Sequence, residues 1–265
     1  MFSINSEYLM SSITQLLEQV AQLIIDAKSI VIFTGAGISV PSGVPDFRTP
    51  GGLWDIYDPY EVSTMRAFKK KPEKVWEFFR ELYEKFSNPI PNPAHFAVTE
   101  IQKIKGVDTM HIITQNIDGL HRKAGAENVF EIHGNAEVMH CYKCGFEEEL
   151  DIEKHLKTLP YPLCPECNKP LKPKVVLFEE LLDNNLFQRA LRLAVKSDLA
   201  IGIGTSLGVF PAADILLAPP PRTKKVVFNL TKTYYDHLIH YRVRGDVVNT
   251  LPELVLEIKK KMREE

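Results

Sequence analysis

The chain has 265 residues, with 32 Lys and Arg against 34 Asp and Glu, a net charge of −2. That balance argues against a general nucleic-acid binder, whose phosphate contacts need a basic excess, although a local basic patch stays open. Its 45% hydrophobic and 25% charged residues are ordinary for a globular protein of one or two domains that buries roughly three quarters of its unfolded surface.

No apolar run approaches the ~18 residues of a membrane span. The start, MFSINSEYLMSS, lacks the basic and apolar regions of a signal peptide, so no membrane association and a cytoplasmic location are expected. Ile13, Leu16, Leu17, Val20, Leu23 and Ile24 fall on one helical face. Ile30 to Phe33 is a short β-branched run suited to a strand buried on both faces. It leads straight into Thr34-Gly35-Ala36-Gly37-Ile38-Ser39, and a strand followed by a glycine-rich loop is where α/β folds bind phosphates. Residues 40–72 are rich in Pro and Gly and read as a long ordered loop.

A helix follows, with Val75, Phe78, Phe79, Leu82 and Phe86 on one side, and another begins at Asn92-Pro93, a cap followed by proline. Strand-like runs recur at 111–113, 129–132, 199–203 and 226–228, with a helix at 185–196 between two of them. The last helix carries Thr250 and Glu253 as a capping-box pair. Apolar strands alternating with helices indicate an α/β fold with a parallel sheet covered on both faces.

The four cysteines, Cys141, Cys144, Cys164 and Cys167, form two CxxC pairs with 19 residues between them. Each pair turns two thiolates toward one point, and that spacing reads as a zinc site rather than disulfides or redox cysteines. Four thiolates complete the tetrahedron and leave no position for a reactive water, so the zinc is expected to be structural. Residues 137–178 then form an insertion with its own metal core.

Three strand ends carry polar chemistry. Gly35-Ala36-Gly37 lacks the third glycine of a dinucleotide fingerprint, Val40 standing in its place, and is weak by itself. The following Pro41-Ser42-Gly43-Val44-Pro45-Asp46-Phe47-Arg48 adds a stiff loop, an aromatic face and a guanidinium fork for phosphate. Thr114-Gln115-Asn116-Ile117-Asp118-Gly119-Leu120-His121 and Glu131-Ile132-His133-Gly134-Asn135 place amides, a carboxylate and an imidazole where open α/β sheets bind ligands.

With Pro173 to Phe178, Gly204-Thr205-Ser206 and Asn229, these motifs stand in sirtuin order. From about residue 13 to the end the chain resembles the sirtuins, NAD-dependent protein-lysine deacylases. The resemblance implies a Rossmann-like NAD-binding domain (1–60, 105–136 and 179–265) and a small domain made of a helical part (61–104) and a four-cysteine zinc part (137–178). It implies NAD as co-substrate and acetylated lysine of proteins or peptides as partner. Gly35, Ala36, Gly37, Val40, Asp46, Phe47 and Arg48 would line the cofactor loop. Gln115, Asn116, Ile117 and Asp118 would surround the nicotinamide ribose and carboxamide. Gly204, Thr205, Ser206, Asn229 and Val247 would hold the adenosine side. His133 would be the general base, with Asn116 in the catalytic set, and Val175, Val176 and Phe178 would contact the peptide, which sirtuins bind as an added strand.

Two residues depart from the family pattern. Thr49 follows the PDFR stretch, where Gly or Ser is commoner. Glu179 replaces the glycine of the usual Phe-Gly-Glu, and glycine allows a backbone course that Glu179 is not expected to share. Sirtuins that remove acidic acyl groups carry a Tyr and an Arg three residues apart on the helix after the cofactor loop. Here those positions are Phe79 and Leu82, so an uncharged acyl group is expected. The competing readings are an NAD glycohydrolase or ADP-ribosyltransferase on the same site, and a zinc-ribbon interaction module.

Overall fold

The computed structural model describes residues 6–46, 52–86 and 88–264, with side chains from Ile13 onward. Phe47, Arg48 and Thr49 lie outside the described residues. In chain order the elements are α1 (Ser6–Asp26), β1 (Ile30–Thr34), α2 (Leu53–Ile56), α3 (Pro59–Val62), α4 (Met65–Lys70), α5 (Pro72–Lys85) and α6 (Pro93–Lys105). There follow β2 (Met110–Thr114), α7 (Leu120–Lys123), β3 (Phe130–Glu131), β4 (Gly134–His140), β5 (Glu147–Glu149) and β6 (Lys172–Val175). The chain continues with α8 (Asn184–Lys196), β7 (Leu199–Ile203), α9 (Asp214–Leu217), β8 (Lys224–Asn229), β9 (Tyr241–Arg244) and α10 (Val247–Glu264). No described helix is long and apolar enough to cross a membrane.

Six strands form a parallel sheet in the order β3-β2-β1-β7-β8-β9. The two central strands, β1 and β7, are buried along their whole length and apolar except for Thr34, as strands covered on both faces should be. The two-residue alternation of a strand splits each between two cores. Ile30 and Ile32 of β1, Leu199, Ile201 and Ile203 of β7, and Val226 and Phe228 of β8 face a core shared with α1, α6 and α10. Val31, Phe33, Ala200 and Val227 face a core closed by α8 and α9. The strand order reverses between β1 and β7, and ligands of open α/β sheets bind beyond the carboxyl ends of strands at such a point.

A third core holds the smaller unit. Val62, Met65, Phe68, Val75, Trp76, Phe78 and Phe79 pack against Met139, Cys141, Cys164, Leu171, Val175 and Leu177. The helices after the glycine loop and the cysteine insertion therefore share one interior, and Trp76 Nε1 bonds across it to Leu171 O at 2.8 Å. The segment 61–104, expected as the helical part of the small domain, packs in two cores. Helix α6 carries Ala94, Ala97, Val98 and Ile101 into the large sheet's core, while Trp54 and Tyr57, expected with the large domain, lean on the small one. Each segment goes where its apolar face is covered.

Three expectations are corrected. Residues 40–72 hold short helices, including α2, α3 and α4, in place of a continuous loop. Helix α10 begins at Val247, before Thr250. Asp246 Oδ1 caps it by accepting from Val248 N at 3.1 Å, and Thr250 Oγ1 donates back to Asp246 O at 3.1 Å. Glu179 has φ +67°, so it does share the left-handed course of glycine, which for a residue with a Cβ costs on the order of 1 kcal/mol. The Asn92 cap of α6 matches its expectation and is completed by His95, whose Nδ1 accepts from Asn92 N at 3.3 Å.

Strands β5, β4 and β6 make a second, antiparallel sheet beside the cysteines. All four Sγ atoms lie within 4.8 Å of one another. Cys141 and Cys167 Sγ are 3.4 Å apart and Cys144 and Cys164 Sγ 3.5 Å apart. A disulfide needs about 2.05 Å, whereas a tetrahedron with Zn–S of about 2.3 Å has edges of about 3.8 Å. The donor set fits one structural zinc with no open position.

Because Cys141 and Cys164 belong to the core that encloses Trp76, stripping the metal should loosen that core. We predict a red shift of tryptophan emission and a lowered thermal midpoint after complete chelation, both reversed by zinc. Unchanged fluorescence and melting at verified zero zinc would contradict a structural metal.

Candidate active site

The carboxyl ends of β1 and β7 meet with almost no space between them. A Cβ on Gly35 would lie 2.8 Å from Gly204 O, one on Gly37 2.8 Å from Gly204 Cα, and one on Gly204 2.3 Å from Ile38 N. Gly35 N donates to Ile203 O at 3.0 Å and Gly37 N to Gly204 O at 2.9 Å. The glycines let the loop after β1 fold down as a tight turn over the end of β7, leaving a cradle open to the pocket.

That cradle forms one wall of a cleft of about 2040 Å³. The cleft is lined by every described candidate residue other than the four cysteines: Gly35, Ala36, Gly37, Val40, Asp46, Gln115, Asn116, Ile117, Asp118, His133, Val175, Val176, Phe178, Gly204, Thr205, Ser206, Asn229 and Val247. The small unit supplies the opposite wall, with Phe78, Phe79 and Leu82 of α5 and Ala136 and Val138 of β4.

The loop after β2 is tied to the glycine loop by side chains. Asn116 Nδ2 donates to Gly35 O and to Ser39 Oγ, both at 3.1 Å. Ser39 Oγ donates to Asp118 Oδ2 at 2.7 Å, and Leu120 N to Asp118 Oδ1 at 2.9 Å. Burial raises the Asp118 pKa, and these two donors pull it back. Gln115 Nε2 donates to Thr205 Oγ1 at 3.2 Å and so joins the ends of β2 and β7.

His133 follows β3. Its Nδ1 lies 3.0 Å from Gln115 O. A backbone carbonyl only accepts, so Nδ1 carries the proton and Nε2 is the basic nitrogen of the neutral ring. Gly134, next in the chain, has φ +82°, and a Cβ there would lie 1.9 Å from Lys174 O. Only glycine lets β4 run this close to β6 beside the imidazole.

Beneath the polar floor lie residues not singled out as site candidates: Thr34, Ser39, His95 and His121. Thr34 Oγ1 donates to Thr114 Oγ1 at 2.8 Å and lies 2.9 Å from His121 Nε2. His95 Nε2 lies 3.4 Å from Ser39 Oγ. Because His95 Nδ1 accepts from Asn92 N, its Nε2–H points at Ser39, whose own proton goes to Asp118. Burial lowers the His95 pKa to about 4 and the His121 pKa to about 3, so both rings are neutral at pH 7. Ser39 stood in a quoted motif, but nothing local marks His95, 56 positions away, as its partner.

On the far side, Thr205 is buried, and Asn229 Nδ2 donates to Thr231 O at 3.1 Å. Val247 is 4% exposed and belongs to the sheet core, so it meets the cleft only at the start of α10.

A model of the Sir2 family matches residues 35–211. The NAD-dependent protein deacylase of Pyrococcus abyssi is 38% identical over 246 residues, covering 91% of this chain and 98% of that protein. A Sir2 homologue solved as an NAD complex superposes with a TM-score of 0.84 at 35% identity, covering 92% of this chain and 94% of its own. A Sir2 protein solved with a deacetylated p53 peptide and 3′-O-acetyl ADP-ribose gives a TM-score of 0.84 at 33% identity, covering 91% of this chain and 98% of its own. With a model match spanning most of the chain and relatives matched along nearly their whole length, this chain belongs to the Sir2 family.

Proposed function

We propose that the protein is an NAD-dependent protein-lysine deacetylase, acting on acetylated lysine side chains of proteins or peptides. The observation that carries this reading is the single cleft joining three features: the glycine cradle, the Asn116–Ser39–Asp118 network and His133, whose Nδ1 is committed to Gln115 O.

NAD supplies a nicotinamide–ribose bond whose rupture leaves the ribose ready to take up the acyl group. The cradle at Gly35, Ala36 and Gly37 lets a pyrophosphate approach the backbone closely, since neither glycine carries a side chain; the N–H groups of Gly35 and Gly37 are themselves given to Ile203 O and Gly204 O and hold the turn in place. Asp46 and Val40 flank it, and Phe47 and Arg48 are the loop residues expected to close over it. Gln115, Asn116, Ile117 and Asp118 take the nicotinamide ribose and carboxamide, with Asn116 in the catalytic set because its amide is already fixed by Gly35 O and Ser39. Gly204, Thr205, Ser206, Asn229 and Val247 take the adenosine side. With NAD and substrate bound, the acyl oxygen would bond the ribose carbon as nicotinamide leaves, His133 Nε2 would receive a ribose hydroxyl proton so that the hydroxyl oxygen attacks the acyl carbon, and one water would be consumed as the lysine amine departs and the acyl group stays on ADP-ribose. Lysine, nicotinamide and acylated ADP-ribose are the products. General-base catalysis of this kind is worth roughly 10²–10⁴-fold.

Val175, Val176 and Phe178 are the peptide-facing residues. The substrate we propose is a protein met in the cytoplasm; no described helix is long and apolar enough to cross a membrane. An NAD glycohydrolase would need no such apolar wall. The decisive assay is nicotinamide release with and without an acetylated peptide. Release that depends on the peptide supports the deacetylase; equal release without it would select NAD hydrolysis.

We predict that His133→Ala lowers acyl transfer by about 10²-fold or more while NAD affinity changes by less than about threefold. Turnover and NAD titration on the same preparation check this, and near-native turnover would refute the assignment.

The acyl pocket is uncharged where it faces α5. Phe79 and Leu82 line it, and neither donates a hydrogen bond. Arg80 is turned away. Its Nε donates to Leu156 O at 2.8 Å and its Nη2 to Thr158 O at 2.8 Å and Pro160 O at 2.6 Å. Tyr83, also on α5 and lining the cleft, gives its hydroxyl to Ala136 O, so a succinyl carboxylate against Phe79 and Leu82 would meet no free donor on this helix. We therefore predict a kcat/KM at least about tenfold higher for acetyl-lysine than for succinyl-lysine in the same peptide; the reverse order would disprove this view of the pocket.

A further inference from the structure

The segment after β6 crosses the cleft, and its backbone is pinned at several points. Gly134 pairs with Val175 in the sheet. Beyond it, Val176 N donates to His133 O at 2.8 Å, Phe178 N to Ser63 O at 2.9 Å, and Met65 N to Phe178 O at 2.9 Å. Glu180 N donates to Leu177 O at 3.1 Å, and further ties come from one charged pair. Lys172 is 2% exposed. Its Nζ donates to Val175 O at 2.7 Å and lies 3.1 Å from Glu180 Oε2. The same Oε2 accepts from Leu177 N at 3.0 Å.

One ammonium and one carboxylate thus join residues 172, 175, 177 and 180. Between the clamped ends sits Glu179 in its disfavoured left-handed conformation, its carboxylate 3.3 Å from Arg66 Nη2. Burial pushes the Lys172 pKa down and the Glu180 carboxylate pushes it back up. Lys172 is buried and Glu180 partly so, and an ion pair taken out of water is a poor source of stability, because apolar side chains of similar size usually pack there as well or better. Its role is better sought in what it holds in place.

We infer that Lys172 and Glu180 are positioning residues for the acylated peptide, fixing the backbone of 175–180 so that the substrate chain meets a preformed edge. The inference rests on the deacetylase reading. Lys172 does not line the cleft; it acts through Val175 O and through Glu180. A preformed edge lowers the ordering required when an extended peptide docks, so the effect belongs in peptide KM.

The test is steady-state kinetics on the zinc-loaded full chain, varying acetyl-peptide and NAD separately. Lys172→Met should raise peptide KM about tenfold with kcat and NAD KM within about twofold. Lys172→Arg keeps a charged donor and should return peptide KM to within about threefold of native. The double variant Lys172→Met/Glu180→Leu removes both charges, so it folds without an unpaired ion, yet should keep the raised peptide KM. Should Lys172→Met fail to fold, Glu180→Gln decides: its weaker acceptor predicts a rise of about threefold. Unchanged peptide KM in the folded variants overturns the inference. So does a loss shared equally by kcat, NAD KM and peptide KM, which would mean a merely structural pair. Wild-type protein with no peptide-dependent turnover would instead overturn the deacetylase reading, before any variant is compared.

Discussion

The molecule depends on a contact in which there is no room for a side chain. Strands β1 and β7 are neighbours in the sheet, and the loops leaving them are pressed together at Gly35, Gly37 and Gly204. A methyl group at any of the three would lie within 3 Å of backbone atoms, closer than packed atoms tolerate. That contact brings Gly35 O within reach of Asn116, and Gln115 within reach of Thr205. The ends of β1, β2 and β7 are thereby locked together, and the pocket floor follows from the lock. Asn116 is oriented before any ligand arrives, and preorganised groups of this kind cost no rearrangement during reaction.

The second wall has a different origin. Its helices and its cysteine insertion lie far apart in sequence but share one core, with Trp76 and Cys141 in the same interior. Each part contributes buried side chains to that core, and the cysteine cluster stands at one side of it. The two units meet where β4 leaves His133 and where Val176 returns to bond its carbonyl. The imidazole thus stands at the junction, with its Nδ1 held by one unit and its backbone carbonyl by the other. Neutral, buried His95 and His121 support the floor without adding charge beside Asp118.

Much of this was legible in the residues. Ile30 to Phe33 is a short β-branched run that suits a doubly buried strand, and the two CxxC pairs point to zinc by spacing and donor type. The glycine loop, the Gln115–Asp118 stretch and His133 were readable because each sits directly at a strand end. Other features were not, for physical reasons. Helix α6 follows the helical part of the small unit in sequence, and only its packing on α10 shows that it belongs to the sheet. His95 reaches Ser39 through the fold, with no local pattern to announce it. Strand β9, only four residues long at the sheet's edge, has too weak an alternation to stand out. Glu179 takes a backbone course that propensity disfavours, because flanking bonds from Ser63, Met65 and Glu180 hold the chain on both sides.

The central claim is that one cleft couples rupture of the nicotinamide–ribose bond to transfer of the acyl group from lysine. Mass spectrometry of a single-turnover reaction, with enzyme in excess over acetylated peptide, tests it most directly. The account predicts nicotinamide, free lysine peptide and acetylated ADP-ribose in equal amounts. Free acetate beside unmodified ADP-ribose from the earliest time points, or ADP-ribose attached to the peptide, would contradict it.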